Sequence, residues 1–508
     1  MKNKKQTFSR RVIAVIANPK FFWGVMALFV FQAMWIALTA RYPMAFDEDF
    51  HLGVIRVYAQ QLSPFLSNQP PGSETFGALT SDPSYFYHYV MSFPYRLISH
   101  FTANQTTQVL LLRMINITFF SVGLILFRKV LLATGASRAL AHASLLIFVL
   151  FPIVPLVAGQ INYDNVLLPL FAGTLLLTIR VSNQLTRHKQ ISIADSIWLV
   201  VLMLMVSIVK YAFLPILLAI SLYLIIVCFK TFPNWKTFSV SLRKSYRNTS
   251  KKAGWLLISC LIVASSLFAQ RYVVNIARYH TPVPDCSQVL TIEQCSNYGP
   301  WARDYNHSQN KLSVSHSPFN YAGEWFYGMW LRTFFSVDGP SSLFQTRGPL
   351  LLPAIISIAL PLLTVVAALF SLKSVFRRYN ASVLWLFFLI SAFYIAALWL
   401  NGYKSFIETD RPVAINGRYL LIVYPLIILI AGLVYSEIFR RRSEALKLGF
   451  ATVIVICLIW GGGVLTYILR SNETWYWPNS TVVNVNKTLQ RNIGPFVPGY
   501  NQPTQFLR

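Results

Sequence analysis

The chain has 508 residues, of which 55% are hydrophobic, 15% aromatic and only 12% charged, more apolar material than one soluble core could hide. Its 44 Lys and Arg against 17 Asp and Glu give a formal charge of +27. That balance reads as membrane topology and affinity for anionic membrane lipid, with no nucleic-acid partner expected.

A membrane-crossing helix takes about 20 apolar residues. Such runs recur at 21–40, 107–127, 139–158, 165–180, 193–209, 211–229, 253–272, 349–371, 382–400, 419–438 and 448–469. The expected fold class is therefore an all-α polytopic membrane protein with about 11 transmembrane helices. The first run is full length and lacks a small-residue cleavage site, so it reads as a membrane helix rather than a signal peptide. Only Lys210 and Tyr211 separate the fifth and sixth runs. A single helix of their joint length would overshoot a core of roughly 30 Å, which predicts a tight hairpin.

The basic N-terminal segment and the loops holding Arg128–Lys129, Arg187–Lys189, Lys230–Lys252, Arg377–Arg378 and Arg440–Arg442 fall on one side under this count. The positive-inside rule makes that side cytoplasmic. The chain then divides into a cytoplasmic segment 1–20, a membrane module 21–272 containing a first outer loop 41–106, an outer loop 273–347, a second membrane module 348–469, and an outer tail 470–508. This is a multi-pass cell-membrane protein with a cytoplasmic N-terminus and an extracytoplasmic C-terminus. The acids segregate oppositely: all except Asp195, Glu437 and Glu444 fall outside, Asp338 among them. No cytoplasmic segment is long enough to form a nucleotide-binding domain.

In the first outer loop, "AFDEDFHLG" follows directly on the first run. One acid there would be an ordinary helix-start preference. Three of them, Asp47, Glu48 and Asp49, with His51 one turn on, point to a working site. "DEDFHLGVIRVYAQQL" has helical spacing, with Phe50, Val54, Val57 and Leu62 on one side, and lies along the interface; Asp47 and His51 then share a face. A Gly/Pro/Ser stretch leads to "SDPSYFYHYVMSFPYRLISHF", a second interface helix opened by Asp82 and carrying His88. Either histidine alone reads as an interface residue before a metal ligand.

Asp164 in "AGQINYDNVLLPL" lies at the membrane surface, where ionised side chains are rare and usually functional; the alternative is an ordinary Asn/Asp turn. Lys210 at the outer tip of the hairpin is either a functional cation or a snorkelling helix end. Cys286 and Cys295 share an outer loop and are expected to form a disulfide, the alternative being two free thiols. In "ETDRPVAINGRYLLIVYPLII", Arg418 alone would be an anchor, but with Lys404, Arg411 and Tyr419 it makes an anion clamp.

The acidic motif after the first run, two interface helices, a large outer loop after the seventh run and a late "GRYLLIVYP" together resemble the GT-C superfamily of membrane glycosyltransferases. That group includes protein O-mannosyltransferases, aminoarabinose transferases and oligosaccharyltransferases. More closely, "FDEDFH", "DPSYFYHYVMSFPYRL", "INYDNVLLP", "VKYAFLP" and "GRYLLIVYP" are similar to segments of a large bacterial family of predicted GT-C proteins classed as a domain of unknown function. The resemblance covers roughly residues 20 to 470; where that family carries proline or a small residue after its Asp-Glu pair, this chain has Asp49.

The resemblance implies a GT-C-like architecture, a polyprenyl-phosphate sugar donor and an extracytoplasmic acceptor, which is a cell-envelope glycan, a lipid or a protein. A lipid-borne donor also suits a chain whose acids face away from the cytoplasmic nucleotide-sugar pool. In such a reaction Asp47 would be the base, with Glu48 and His51 in support. Asp82, His88 and Asp164 would orient hydroxyls, and Lys210, Arg411, Arg418 and Tyr419 would hold the phosphate. No cofactor is required by the sequence, although Asp47, Asp49, Asp82 and Asp164 would suit Mg²⁺ or Mn²⁺ if they converged. The competing reading is a lipid-linked sugar flippase or membrane transporter, which usually carries polar sites near the midplane that these largely uncharged spans lack. A non-catalytic receptor or scaffold would explain long outer loops but not the ordered motifs.

Overall fold

Asn or Ser residues cap the starts of several apolar helices in the computed structural model. Asn104 caps Thr107 N at 3.1 Å, Ser137 caps Leu140 N at 3.2 Å, and Ser192 and Ser250 cap Asp195 N and Ala253 N, each at 3.3 Å. Each cap satisfies a backbone donor that the first helical turn cannot. The structure describes residues 8–44, 47–334, 351–461, 463–471 and 473–497; Asp338 and the start of the eighth predicted run, 349–350, lie outside them.

The chain opens with α1 (Phe8–Ala17) and α2 (Pro19–Thr39), followed by two helices of the first loop, α3 (Glu48–Ala59) and α4 (Phe86–Phe101). Next come α5 (Gln105–Leu132), α6 (Arg138–Leu150), the short α7 (Ile153–Ala158) and α8 (Asp164–His188). Then follow α9 (Ile193–Val209), α10 (Leu214–Thr231), α11 (Trp235–Asn248) and α12 (Lys251–Tyr279). The second large loop contributes α13 (Cys286–Val289), α14 (Ile292–Cys295), α15 (Gly299–Gln309) and α16 (Pro318–Phe334). The remainder is α17 (Leu351–Arg378), α18 (Ala381–Thr409), α19 (Tyr424–Ile438), α20 (Glu444–Gly461), α21 (Gly463–Arg470) and α22 (Ser480–Ile493). Among the described residues there is no strand, only an isolated bridge between Ala40 and Tyr476.

Seven of these helices are long and apolar enough to cross a membrane, and α6, α9 and α19 are shorter apolar helices. The outer surface agrees: Trp255 on α12 is 73% exposed, and Leu369 and Phe370 on α17 are 79% and 84% exposed. Contiguous apolar area of this kind would be a liability in water and is at home in hydrocarbon. The chain is a polytopic all-α membrane protein. α8 sits centrally, packed on α5, α9 and α10.

The hairpin expected at Lys210 is present. Lys210 has an extended backbone (φ −153°, ψ 119°), which ends α9 before a 3-10 turn, Tyr211–Phe213, leads into α10. Asp195 at the start of α9 accepts from Gln184 near the end of α8 at 2.6 Å, and Tyr223, midway along α10, meets Ser182 in the second half of α8 at 2.7 Å. α9 therefore runs against α8, and α10 runs with it.

Two long-range ties hold the end of the bundle where α2 finishes and α8 begins, here called the site end. Arg113 of α5 grips Glu48 with two hydrogen bonds of 2.8 and 2.7 Å, and its Nη1 donates to Ala37 O and Ala40 O at 2.8 and 2.7 Å. Both side chains are fully buried. The second tie is the C-terminal segment, which reads in the sequence only as a tail. Trp477 N donates to Thr39 O, Arg41 N donates to Trp475 O, and Trp35 of α2 bonds Asn486 of α22 at 3.3 Å.

Candidate functional site

Asp47 stands immediately before α3 in a left-handed conformation (φ 67°, ψ 31°), uncommon for a residue with a Cβ. The helix starts one residue later than the acidic run, so Asp47 and His51 diverge instead of sharing a face. His51 turns inward, while the half-exposed Asp47 carboxylate pairs with the buried guanidinium of Arg418. Arg418 is delivered by a 3-10 turn, Gly417–Leu420, whose start is fixed by Asn416 Oδ1 accepting from Arg418 N at 3.0 Å.

Lys210 reaches the same place from the hairpin. It is buried, donates to Asp164 Oδ1 at 2.6 Å, and lies 4.5 Å over the Tyr163 ring. The Tyr419 ring bridges the two cations, 5.5 Å from Lys210 and 5.2 Å from Arg418. Asp47, Arg418, Tyr419, Lys210 and Asp164 thus form one continuous chain of contacts contributed by four separate stretches of sequence. Asp164 Oδ2 is buried with no hydrogen-bond partner among the described residues.

Behind this chain, His51 Nδ1 and His88 Nε2 are 2.9 Å apart, joining α3 to α4. Burial holds both imidazoles well below their ordinary pKa, with His88 pushed down to about 3; His88, Arg418 and Lys210 lower His51 further. The pair is therefore neutral, one ring donating to the other. Tyr163 packs edge-on against His51 at 4.6 Å. Asp82 lies in the turn before α4, which begins only at Phe86, and accepts from Ser84 N at 2.8 Å. Ser84 Oγ in turn accepts from Tyr211 N at 3.0 Å, which docks the Asp82 turn beside Lys210. Burial raises the Asp82 pKa against the opposing effects of Ser84 and Arg271.

Other expected residues lie elsewhere. Glu48 faces away from the cations of the site: besides Arg113, its carboxylate accepts from Met44 N at 2.8 Å and Ile161 N at 3.0 Å. Every direction in which it could act on a substrate is occupied. Arg411 is exposed beyond the end of α18, and Lys404 pairs with Glu408 on the surface. The acids do not converge either. Among the described residues no three His, Cys, Asp or Glu side chains come together, and Asp47 and Asp164 are each engaged by a cation. This donor set does not fit a Mg²⁺ or Mn²⁺ centre, which needs several free oxygen ligands at one point. Cys286 and Cys295 are joined by a disulfide.

Three contributors escaped the sequence reading. Arg113 carried a signal, an arginine inside a predicted span, where charge is costly and seldom idle. Tyr163 adjoins Asp164 but reads as one more interface aromatic. Tyr298, in the second loop, packs 6.2 Å from Phe50 and had no local signal.

No family model matches the chain, and no curated protein matches it. Among solved structures, the chain is similar to the oligosaccharyltransferase of Archaeoglobus fulgidus, crystallised with a tethered acceptor peptide. The two are 12% identical with a TM-score of 0.41, over 93% of this chain and 56% of that one. The chain thus spans little more than half the length of that enzyme.

Proposed function

We propose that the protein is a membrane glycosyltransferase of the GT-C type that moves a sugar from a polyprenyl-phosphate donor to an acceptor hydroxyl or amide at the site end. The observation that carries this reading is the contact chain from Asp47 through Arg418, Tyr419 and Lys210 to Asp164. It offers one accessible carboxylate beside two buried cations, and that is what displacement of a phosphate requires. Glycoside hydrolysis typically needs an acid for a poor leaving group as well as a base. Phosphate departs without full protonation, so one base and cations for the developing charge suffice.

In this scheme the donor phosphate lies across Arg418 and Lys210. Arg418 then turns hydrogen bonds from Asp47 to phosphate oxygens, which frees the carboxylate. The acceptor forms its bond to the anomeric carbon and passes its proton to Asp47. The bond from that carbon to the phosphate oxygen breaks, and the polyprenyl phosphate leaves with its charge held by the two cations. Asp164 and Asp82 orient hydroxyls, and the neutral His51–His88 pair supports the Tyr163 wall. Glu48 acts through position alone, holding the start of α3 so that Asp47 faces Arg418.

The test is purified protein in liposomes with radiolabelled polyprenyl-phosphate sugars and envelope glycan acceptors. Transfer to acceptor is expected, and Asp47→Asn should lower it by at least about 100-fold, the low end for a general base. Undiminished transfer by that variant removes Asp47 from the role. Movement of intact donor across the bilayer without transfer would replace the enzyme reading with a flippase.

A further inference from the structure

We propose that Tyr298 is a carbohydrate-stacking residue that forms one wall of the site and sets substrate affinity. The proposal rests on the glycosyltransferase reading and names a contact that reading does not supply. The second loop presents Tyr298 on a built support. Asp285 and Thr291 each open a short helix with a reciprocal capping box, the Cys286–Cys295 disulfide ties α13 to α14, and Tyr298 N donates to Cys295 O at 2.9 Å. Such local closure fixes a residue on a loop that would otherwise wander.

The support delivers the ring to the acidic motif. Tyr298 lies 6.2 Å from Phe50, which itself packs edge-on to His51 and His88. It rests on Gly77, where a Cβ would come within 3.2 Å of the ring and the φ of +74° already favours glycine. Burial, then the charges of Asp47 and Asp82, hold its phenol above the ordinary range, so the ring is within electrostatic reach of both acids.

What separates Tyr298 from Tyr163 and Tyr419 is that those two are committed. Tyr163 and Tyr419 lie under Lys210 and Arg418. Tyr298 carries no stacked cation and no hydroxyl hydrogen bond among the described residues. A sugar ring offers apolar C–H faces edged with hydroxyls, and a half-buried tyrosine answers both with its ring face and its polar tip.

The test is transfer kinetics in proteoliposomes, titrating donor and acceptor separately, for the parent, Tyr298→Phe and Tyr298→Ala. The alanine variant should raise one KM about 10-fold with kcat within about twofold, while phenylalanine, which keeps the ring face and loses only the polar tip, should raise the same KM by a smaller factor. A shift in donor KM assigns the wall to the donor sugar, and a shift in acceptor KM assigns it to the acceptor. Cys286→Ser with Cys295→Ser should raise the same KM by loosening the support. Unchanged constants in Tyr298→Ala, with an active parent and a parental unfolding temperature, overturn the proposal alone. A parent that transfers nothing overturns the glycosyltransferase reading and this one with it.

Discussion

Arg418 is buried and pairs with Asp47, so it does not reach for the interface as a membrane anchor would. A planar guanidinium can grip two phosphate oxygens, whereas lysine supplies a point charge. Arg418→Lys should therefore insert normally but transfer slowly, with the loss mainly in kcat because leaving-group charge grows toward the transition state, and Arg418→Gln should be worse. Parental kcat in both variants at equal protein level would remove Arg418 from the phosphate site and leave it as a structural partner of Asp47. The buried histidines give a second prediction at this scale. Unfolded, His88 takes up a proton near pH 6.5, while in the folded protein it resists until about pH 3. Its contribution to stability is thus complete above about pH 6.5 and is lost as pH falls toward 3, by at most about 1.4 kcal/mol per pH unit. The unfolding temperature in detergent should drop between pH 7 and 4.5, and His88→Asn should flatten that slope; parallel curves would show that the pair is not neutral when folded. Glu48 and Arg113 give a third. Arg113→Ala leaves a fully buried carboxylate unpaired and should cost about 3–5 kcal/mol, read as a lowered unfolding temperature. Asp47, Lys210 and Arg418 were legible because each stood beside a helix end in a short motif. Arg113 was not, because one arginine in a long apolar run barely alters its hydropathy.

The apolar runs were readable as helices because length and composition decide that outcome almost unaided, and even the break at Lys210 followed from the thickness of a bilayer. The boundaries of the first-loop helices were harder. Asp82 was expected to open α4, but its side chain is spent on Ser84 N, and the helix waits until Phe86. Pairings between elements were not legible at all: His51 and His88 sit 37 residues apart, and nothing in either motif specifies the other. The C-terminal segment shows this most plainly, since its polar stretch "SNETWYWPNSTVVNVNKTLQ" reads as a tail yet straps the end of α2. Trp475 is 1% exposed and packs 6.0 Å from Tyr467 beneath the start of the acidic loop. Trp475→Ala should cost about 3–5 kcal/mol through the cavity it leaves. Because Arg41 N bonds the backbone of Trp475, the same variant should speed proteolysis between residues 41 and 47. A lowered unfolding temperature with parental cleavage in that stretch would show that the strap stabilises the fold without holding the motif.

At the scale of the molecule, the two ends of the bundle differ in kind, and this bears on which side the chemistry faces. α1 docks at the end opposite the site, where His142 near the start of α6 bonds Ile16 O at 2.7 Å. α22 docks at the site end through Trp35 and Asn486. α1 and α22 therefore dock at opposite ends, from which we propose an odd number of crossings between them. The opposite end also gathers Arg378 and Arg440 around Glu437 and carries the basic helix α11, while Asp47, Asp82, Asp164 and the disulfide gather at the other. We propose, on the positive-inside rule, that the basic end is the cytoplasmic one. A tag at the N-terminus or within α11 should then be protected from protease on intact cells, and a tag at the C-terminus or in the 296–309 stretch should be cleaved. Both termini on one face would contradict the odd count. The reverse orientation would do more damage: the site would face the cytoplasmic nucleotide sugars, the argument for a lipid-borne donor would disappear, and the disulfide would stand in a reducing compartment where such bonds are rarely kept.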